Sequence, residues 1–268
     1  PAGFGKTTLL MQLAAALAAA PGGEVVWVSL DPEDNDANRL FAALFGALSA
    51  LPLNWPITPD TVLAQLQDAS PAARTALGLL TDALGERPGS RLALVLDDLH
   101  HVNDPAALQL LDTLIARAPP ELCVYISSRM TPPLSLARWR AGGELVELTF
   151  EDLQFDLNEV QSLCQLRGLA APSEESLQAA LTRTHGWVAG LHLMLGSARN
   201  GTSLPALTGP APHRHLFDYF AQEVLTDLPP PLQQFVLHCS VLPELTPSLC
   251  RAVTGRDDVG AVLDTLFK

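Results

Sequence analysis

Cysteine is scarce in this chain: four residues in 268, Cys123, Cys164, Cys239 and Cys250, spaced 41, 75 and 11 apart, with no C-x-x-C pair and no histidine at metal-ligand spacing beside them. That excludes a thiolate zinc site or a disulfide framework and leaves buried, reduced thiols as the expectation. Basic side chains are few as well, 16 against 29 acidic ones, for a net charge of -13 and a pI near 4.8. A field of that sign repels phosphate backbones, so the chain as a whole is ill suited to sequence-independent nucleic-acid binding, and any anion site has to be local. Long apolar runs are also lacking. The strongest one near the start, Leu9 to Ala20, has 12 residues, whereas a bilayer span needs about 20. Gln12 interrupts that run, a glycine loop rather than a basic segment precedes it, and no initiator Met is present, so it does not read as a secretory signal. A cytoplasmic location without membrane contact is the expectation. No internal repeat is found. What is present is 48% apolar composition over 268 residues, which rules out intrinsic disorder and suffices for one large or two smaller domains.

The first 150 residues alternate helical and extended patterns, as in a parallel α/β sheet. Helices are predicted over Thr8–Ala20, Asn35–Leu51, Asp60–Gln67, Ala72–Leu84 and Pro105–Arg117, and strands over Glu24–Leu30, Arg91–Leu96, Leu122–Ser127 and Leu145–Leu148. Arg91–Leu96 is a near-continuous apolar run of the kind buried on both faces. Each strand ends in a polar cluster, and open parallel sheets bind ligands beyond the carboxyl ends of their strands. From Phe150 on, only helical patterns follow: Leu157–Arg167, Ser173–Thr184 and Trp187–Ala198, then a Gly/Pro/Ser/Thr linker over Asn200–Pro212, then His215–Leu225, Pro231–Cys239 and a pattern running on from Val259.

The opening Pro1-Ala2-Gly3-Phe4-Gly5-Lys6-Thr7-Thr8 fits the phosphate-binding loop with its first position just before Pro1. Gly3 and Gly5 let the backbone turn and approach an oxygen-rich ligand, with successive N–H groups pointing inward. Lys6 supplies a point charge to the outer phosphates, the Thr7 hydroxyl is placed to ligate Mg²⁺, and the helix beginning beside Thr8 aims its positive end at the same anion. The second motif is Leu92-Ala93-Leu94-Val95-Leu96-Asp97-Asp98, an apolar strand delivering two carboxylates 91 residues after Lys6. Nucleoside triphosphate hydrolysis asks for one carboxylate at the metal, assigned to Asp97, and one polarising the attacking water, assigned to Asp98. Taken alone, either aspartate could instead cap a following turn. A third element, Ser127-Ser128-Arg129 at a strand end, puts a guanidinium where it could report the terminal phosphate; pairing with a surface acid is the plain alternative.

Weaker features have ordinary readings beside the functional ones. His100 and His101 follow the acid pair and could simply be loop residues. Asp31, Glu33, Asp34 and Asp36 read as caps of the next helix. Trp187 with Leu191 and Leu195 falls at helical spacing, which favours core packing. His213-Arg214-His215 fits a solvated turn, and Arg138 and Arg140 a surface turn.

The segments PAGFGKTTLL, VVWVSLDPEDND, LALVLDDLHHV, CVYISSRMTPPLSLARWRAGGELVEL, DLQFDLNEV, HGWVAGLHL and HRHLFDYFAQEVL together resemble the signal-transducing ATPases (STAND class) of the MalT-like, large LuxR-family transcriptional regulators, from Pro1 to about Gly255. The resemblance implies a P-loop NTPase sheet of ASCE type with strand order 5-1-4-3-2, a helical lid and a winged-helix domain. On this chain that becomes an α/β NTPase domain over 1–150 lacking its first strand, a lid over 151–200, a linker over 201–212 and an incomplete winged helix over 213–268. It also implies a resting ADP-bound form and an ATP-bound form that self-associates when a small-molecule or protein inducer binds. Gly3, Gly5, Lys6, Thr7 and Thr8 become phosphate contacts, with Ala2 and Phe4 completing the loop; Asp97 and Asp98 become the Walker B pair, Arg129 the sensor, and Gly186-Trp187 the lid element near ATP or ADP. Such regulators carry a strand ahead of the loop, a downstream repeat array for the inducer and a C-terminal helix-turn-helix for DNA. None lies within these residues, so the chain reads as part of a longer protein. Two other functions share the loop: a kinase acting on a small acceptor, disfavoured because the tract after Phe150 is acidic or neutral in most stretches, and a nucleotide-holding scaffold that does not hydrolyse.

Overall fold

In the computed structural model the described residues are 1–52, 71–85, 91–169, 173–196, 225, 228–242 and 244–266. The helix predicted over Asp60–Gln67, the linker Asn200–Pro212, the cluster His213-Arg214-His215 and all but the last residue of the helix predicted over His215–Leu225 lie outside them.

The chain runs α1 (Lys6–Ala19), β1 (Gly23–Ser29), α2 (Ala37–Ser49), α3 (Pro71–Gly85), β2 (Arg91–Asp97), α4 (Pro105–Ala116), β3 (Leu122–Ile126) and α5 (Leu136–Gly142), with short 3-10 turns at Pro32–Asp34 and Leu99–His101. The three strands form one parallel sheet in the order β1-β2-β3. Register pairs Ser29 with Asp97 and Leu96 with Ile126, so the carboxyl ends of all three strands open at the same rim. β2 lies in the middle and is buried from Leu92 to Asp97, as its unbroken apolar run predicts.

Helices α2 and α4, and the 3-10 turn ahead of α2, begin where short acidic side chains satisfy their free N–H groups. Asp31 and Asp34 form a reciprocal box around the first 3-10 turn, Asp36 accepts from Asn38 and Arg39 to start α2, and Asp104 accepts from Ala107 to start α4. Asp31, Asp34 and Asp36 of the acidic loop after β1 are therefore caps, as the ordinary reading held, whereas the Glu33 carboxylate pairs with Arg39 at 3.1 Å instead. Leu40, Phe41, Leu44, Phe45 and Leu48 of α2 form one buried stripe, joined by Leu108, Leu111 and Leu114 of α4 and by Leu94 and Leu96 of β2. The rings of Phe41 and Phe45 stack at 6.2 Å and 12°. Each such side chain, once buried, contributes about 1.5–3 kcal/mol.

Three expectations need correction. The strand predicted at Leu145–Leu148 does not form, and Val146 and Leu148 stay 88% and 62% exposed. An extended segment becomes a strand only with a ladder partner, and none of the three described strands pairs with this one. Of the implied order 5-1-4-3-2, the described sheet thus carries three neighbouring strands. Arg138 and Arg140 lie on a helix, α5, rather than a turn, and Arg140 pairs with Glu147 at 2.7 Å. Cys123 is exposed, while the other three cysteines are buried.

Contacts divide the chain into two units: Pro1 with Gly5–Leu153, and Gln154–Lys268 with the three residues Ala2–Phe4. Among its described residues the second unit has helices joined by turns and loops, and no strand. Helices α6 (Leu157–Leu166), α7 (Glu174–Thr184) and α8 (Val188–Gly196) enclose Val160, Cys164, Leu177, Ala180, Leu191, Met194 and Leu195. Helices α9 (Pro230–Cys239), α10 (Pro247–Thr254) and α11 (Val259–Leu266) enclose a separate core of Phe235, Cys239, Cys250, Val259, Val262 and Leu263. Burial and the neighbouring Cys250 thiol push the Cys239 thiol up to about 11. Among the described residues no helix is long and apolar enough to cross a membrane.

Candidate nucleotide site

The loop ahead of α1 is built on two left-handed glycines, Gly3 at φ 76° and Gly5 at φ 78°. Gly5 is the N-terminal boundary residue of α1, and neither a side-chain cap nor an acidic residue satisfies the first turn. Those N–H groups stand at the positive end of a 14-residue helix, an arrangement that suits an anion.

Lys6 follows directly. Its ammonium donates to the Pro1 carbonyl at 2.6 Å. Burial pulls its pKa below the ordinary lysine value, the Arg129 guanidinium pulls it further, and the carboxylates of Asp98 and Asp97 pull it back. Four charged groups, from the loop, the end of β2 and the segment after β3, therefore share one neighbourhood.

The Thr7 hydroxyl donates to Asp97 Oδ1 at 3.2 Å, and the Ser127 hydroxyl donates to the same oxygen. Asp97 is 3% exposed, so its carboxylate is held by these hydroxyls rather than by water. Asp98, the next residue, is left-handed at φ 60° and ψ 41° and turns its side chain to partial exposure. The His100 Nδ1 stands 3.6 Å from Asp98 Oδ1, with the His100 side chain 8% exposed and its ring 4.2 Å from that of His101. Thr8 lies exposed on the first turn of α1.

Among the described residues no group of three or more His, Cys, Asp or Glu could hold a metal ion unaided. One hydroxyl and one carboxylate, Thr7 and Asp97, suit Mg²⁺, which keeps much of its water and completes its shell with substrate phosphates. The donor set present thus fits Mg-nucleotide and does not fit a resident transition metal.

The loop tip is held separately. Trp187 donates its indole N–H to the Ala2 carbonyl at 2.9 Å, and the Ala189 N–H donates to the Gly3 carbonyl at 2.9 Å. Gly186, at φ 71°, precedes Trp187 as a turn, with the Phe155 N–H bonded to its carbonyl at 2.9 Å. Lys6, Thr7, Asp97, Asp98 and Arg129 converge in the first unit; Ala2, Gly3 and Phe4 cluster with Gly186 and Trp187 in the second. Motif spacing did not single out Ser127: a serine at a strand end carries no signature of its own.

Residues 1–125 match the AAA ATPase domain family, and residues 221–268 match the MalT winged helix domain. The HTH-type transcriptional regulator MalT of Yersinia enterocolitica is 31% identical over 96% of this chain, and that of Yersinia pestis is 30% identical over 99%. The chain is a homologue of MalT. It spans 28% and 29% of the length of those two relatives, so the likeness concerns a part of each. A solved structure of Drosophila ORC bound to DNA aligns over 98% of this chain and 65% of that one at 14% identity, with a TM-score of 0.42. The MalT matches run across both of the regions that the two family matches cover separately.

Proposed function

We propose that this chain is the nucleotide switch of a transcriptional regulator: it binds Mg-ATP or ADP, hydrolyses ATP slowly, rests with ADP and self-associates with ATP. The carrying observation is the 3.2 Å hydrogen bond from Thr7 to Asp97, which brings the glycine loop and the carboxylate pair to one point 90 residues apart in sequence, with Lys6 and Arg129 beside them.

In this reading the loop N–H groups and Lys6 bind the phosphates, and Thr7 with Asp97 holds Mg²⁺. The cation supplies charge neutralisation at the phosphate oxygens. Asp98 accepts a proton from the attacking water, and Arg129 reads whether a terminal phosphate is there. Asp98 is one methylene shorter than the glutamate that many ATPases use at this step. Slow turnover suits a switch whose two arrangements must persist. The relatives' names describe HTH-type transcriptional regulators; here DNA contact would fall to a helix-turn-helix, and inducer binding to domains, outside these 268 residues.

The test is nucleotide retention. Lys6→Ala should abolish ATP and ADP binding by calorimetry in a folded protein, and undiminished affinity for both would remove the site.

A further inference from the structure

Ser127 follows β3 directly at 4% exposure, and every polar atom it has is bonded to the end of β2 or to the two residues after it. Its N–H donates to the Leu96 carbonyl at 3.0 Å, and its carbonyl accepts from the Leu99 N–H at 2.9 Å. Its hydroxyl donates to Asp97 Oδ1 and accepts from the Asp98 N–H at 2.9 Å. One residue therefore grips four consecutive positions, Leu96 to Leu99. The registered ladder between the strands ends at Leu96 and Ile126, so beyond that pair the Ser127 side chain takes over what strand pairing no longer does.

Both effects bear on the acid pair. Thr7 and Ser127 donate to one oxygen of Asp97, which fixes the plane of its carboxylate. The bond to the Asp98 amide ties down that residue at φ 60°, a left-handed conformation that few L residues besides aspartate and asparagine adopt. We propose that Ser127 is a positioning residue of the nucleotide site, whose hydroxyl sets the orientation of Asp97 toward the cation and of Asp98 toward water and so governs cation retention and hydrolysis while leaving nucleotide affinity almost unchanged. This rests on the nucleotide-site reading above and adds to it a residue that touches neither phosphate nor water.

The experiment uses Ser127→Ala and Ser127→Thr in the intact protein, with ATP and ADP affinity by calorimetry at saturating Mg²⁺, steady-state phosphate release, and the affinity of the ADP complex for Mn²⁺ by electron paramagnetic resonance. Removing a group that orients a metal ligand lowers metal affinity or activity on the order of tenfold or more. For Ser127→Ala we expect kcat down by about that factor, Mn²⁺ affinity down by about the same factor, and KM and nucleotide affinity within about threefold. Ser127→Thr, which keeps a hydroxyl, should recover most of both losses. Parent-like kcat and Mn²⁺ affinity in Ser127→Ala would overturn the inference; so would a rise in KM that matches the fall in kcat, or a threonine variant no better than alanine. If the parent's turnover is too slow to read, the Mn²⁺ affinity decides. If the alanine variant does not fold, Ser127→Cys, a weak donor of similar reach, is read by the same quantities. Lys6→Ala run alongside separates the two failures: if it retains nucleotide, the site reading falls and Ser127 with it, whereas if it loses nucleotide while Ser127→Ala behaves as the parent, only the role of Ser127 falls.

Discussion

Gly5 and Gly186 are both left-handed, yet a methyl group added to each meets different surroundings. At Gly5, φ 78°, a Cβ would find no atom within 4 Å; at Gly186, φ 71°, it would stand 2.7 Å from the Phe155 carbonyl oxygen and 2.9 Å from its nitrogen. Gly5→Ala therefore bears only the conformational cost, about 1–2 kcal/mol, while Gly186→Ala adds a backbone collision and should cost about 2–4 kcal/mol. The open space over Gly5 is where a phosphate would lie. Gly5→Ala should accordingly lower the melting temperature modestly and abolish ATP binding; a variant that still binds ATP like the parent would show that no phosphate approaches this peptide. Asp98 offers a cleaner chemical probe. Asparagine tolerates the left-handed region as aspartate does, so Asp98→Asn should fold normally and keep ATP bound while phosphate release slows, by about 10²-fold if Asp98 is the base. Release at the parent rate would withdraw that role.

At the level of elements, the predicted second helix loses its first two residues to other duties. Asp36 turns out to be a cap, and Asn35 a brace between the loops that follow β1 and β2: its side-chain oxygen accepts from the N–H groups of Asn103 and Asp104 at 2.8 and 2.7 Å, and its amide donates to the Asn103 side chain at 3.0 Å. Asn35→Ala leaves two N–H groups without that acceptor and should lower stability to urea by about 1–3 kcal/mol, with Asn35→Asp, which keeps the acceptor, recovering most of it. Unchanged stability in Asn35→Ala would mean that water replaces the brace. Periodicity could not announce such a role, because the brace joins positions 68 and 69 residues apart. It did locate β2, whose burial on both faces follows from composition alone, and most helix ends to within two residues. It erred at Leu145–Leu148, where alternation carries no information about whether a neighbouring strand is there to pair. It passed over α5 and α10, short helices of seven and eight residues. Glycines, lysine and paired aspartates were legible in the site because their chemistry demands those residue types; Ser127 was not, since only the closeness of β2 and β3 gives its hydroxyl anything to hold.

For the molecule as a whole, the division of contacts cuts across the phosphate loop. Ala2–Phe4 group with Gln154–Lys268, and the residues on either side of them group with the ATPase unit. The bonds responsible are those from the Trp187 indole to the Ala2 carbonyl and from the Ala189 amide to the Gly3 carbonyl. In a trans peptide the carbonyl and the following N–H point in opposite directions, so anchoring these two carbonyls fixes the orientation of the peptides that join Ala2 to Gly3 and Gly3 to Phe4. Trp187→Phe keeps an aromatic six-membered ring and removes the indole N–H donor together with the pyrrole half that carries it. One hydrogen bond of about 1 kcal/mol corresponds to roughly fivefold in affinity, so ADP should bind roughly fivefold more weakly to Trp187→Phe by calorimetry, while kcat at saturating ATP, which depends on Asp97 and Asp98, should stay near the parent value. A parent-like ADP affinity would mean that the loop tip keeps its conformation without help from the helical unit, and a fall in kcat as large as the fall in affinity would mean that the two halves of the loop cannot be separated in this way.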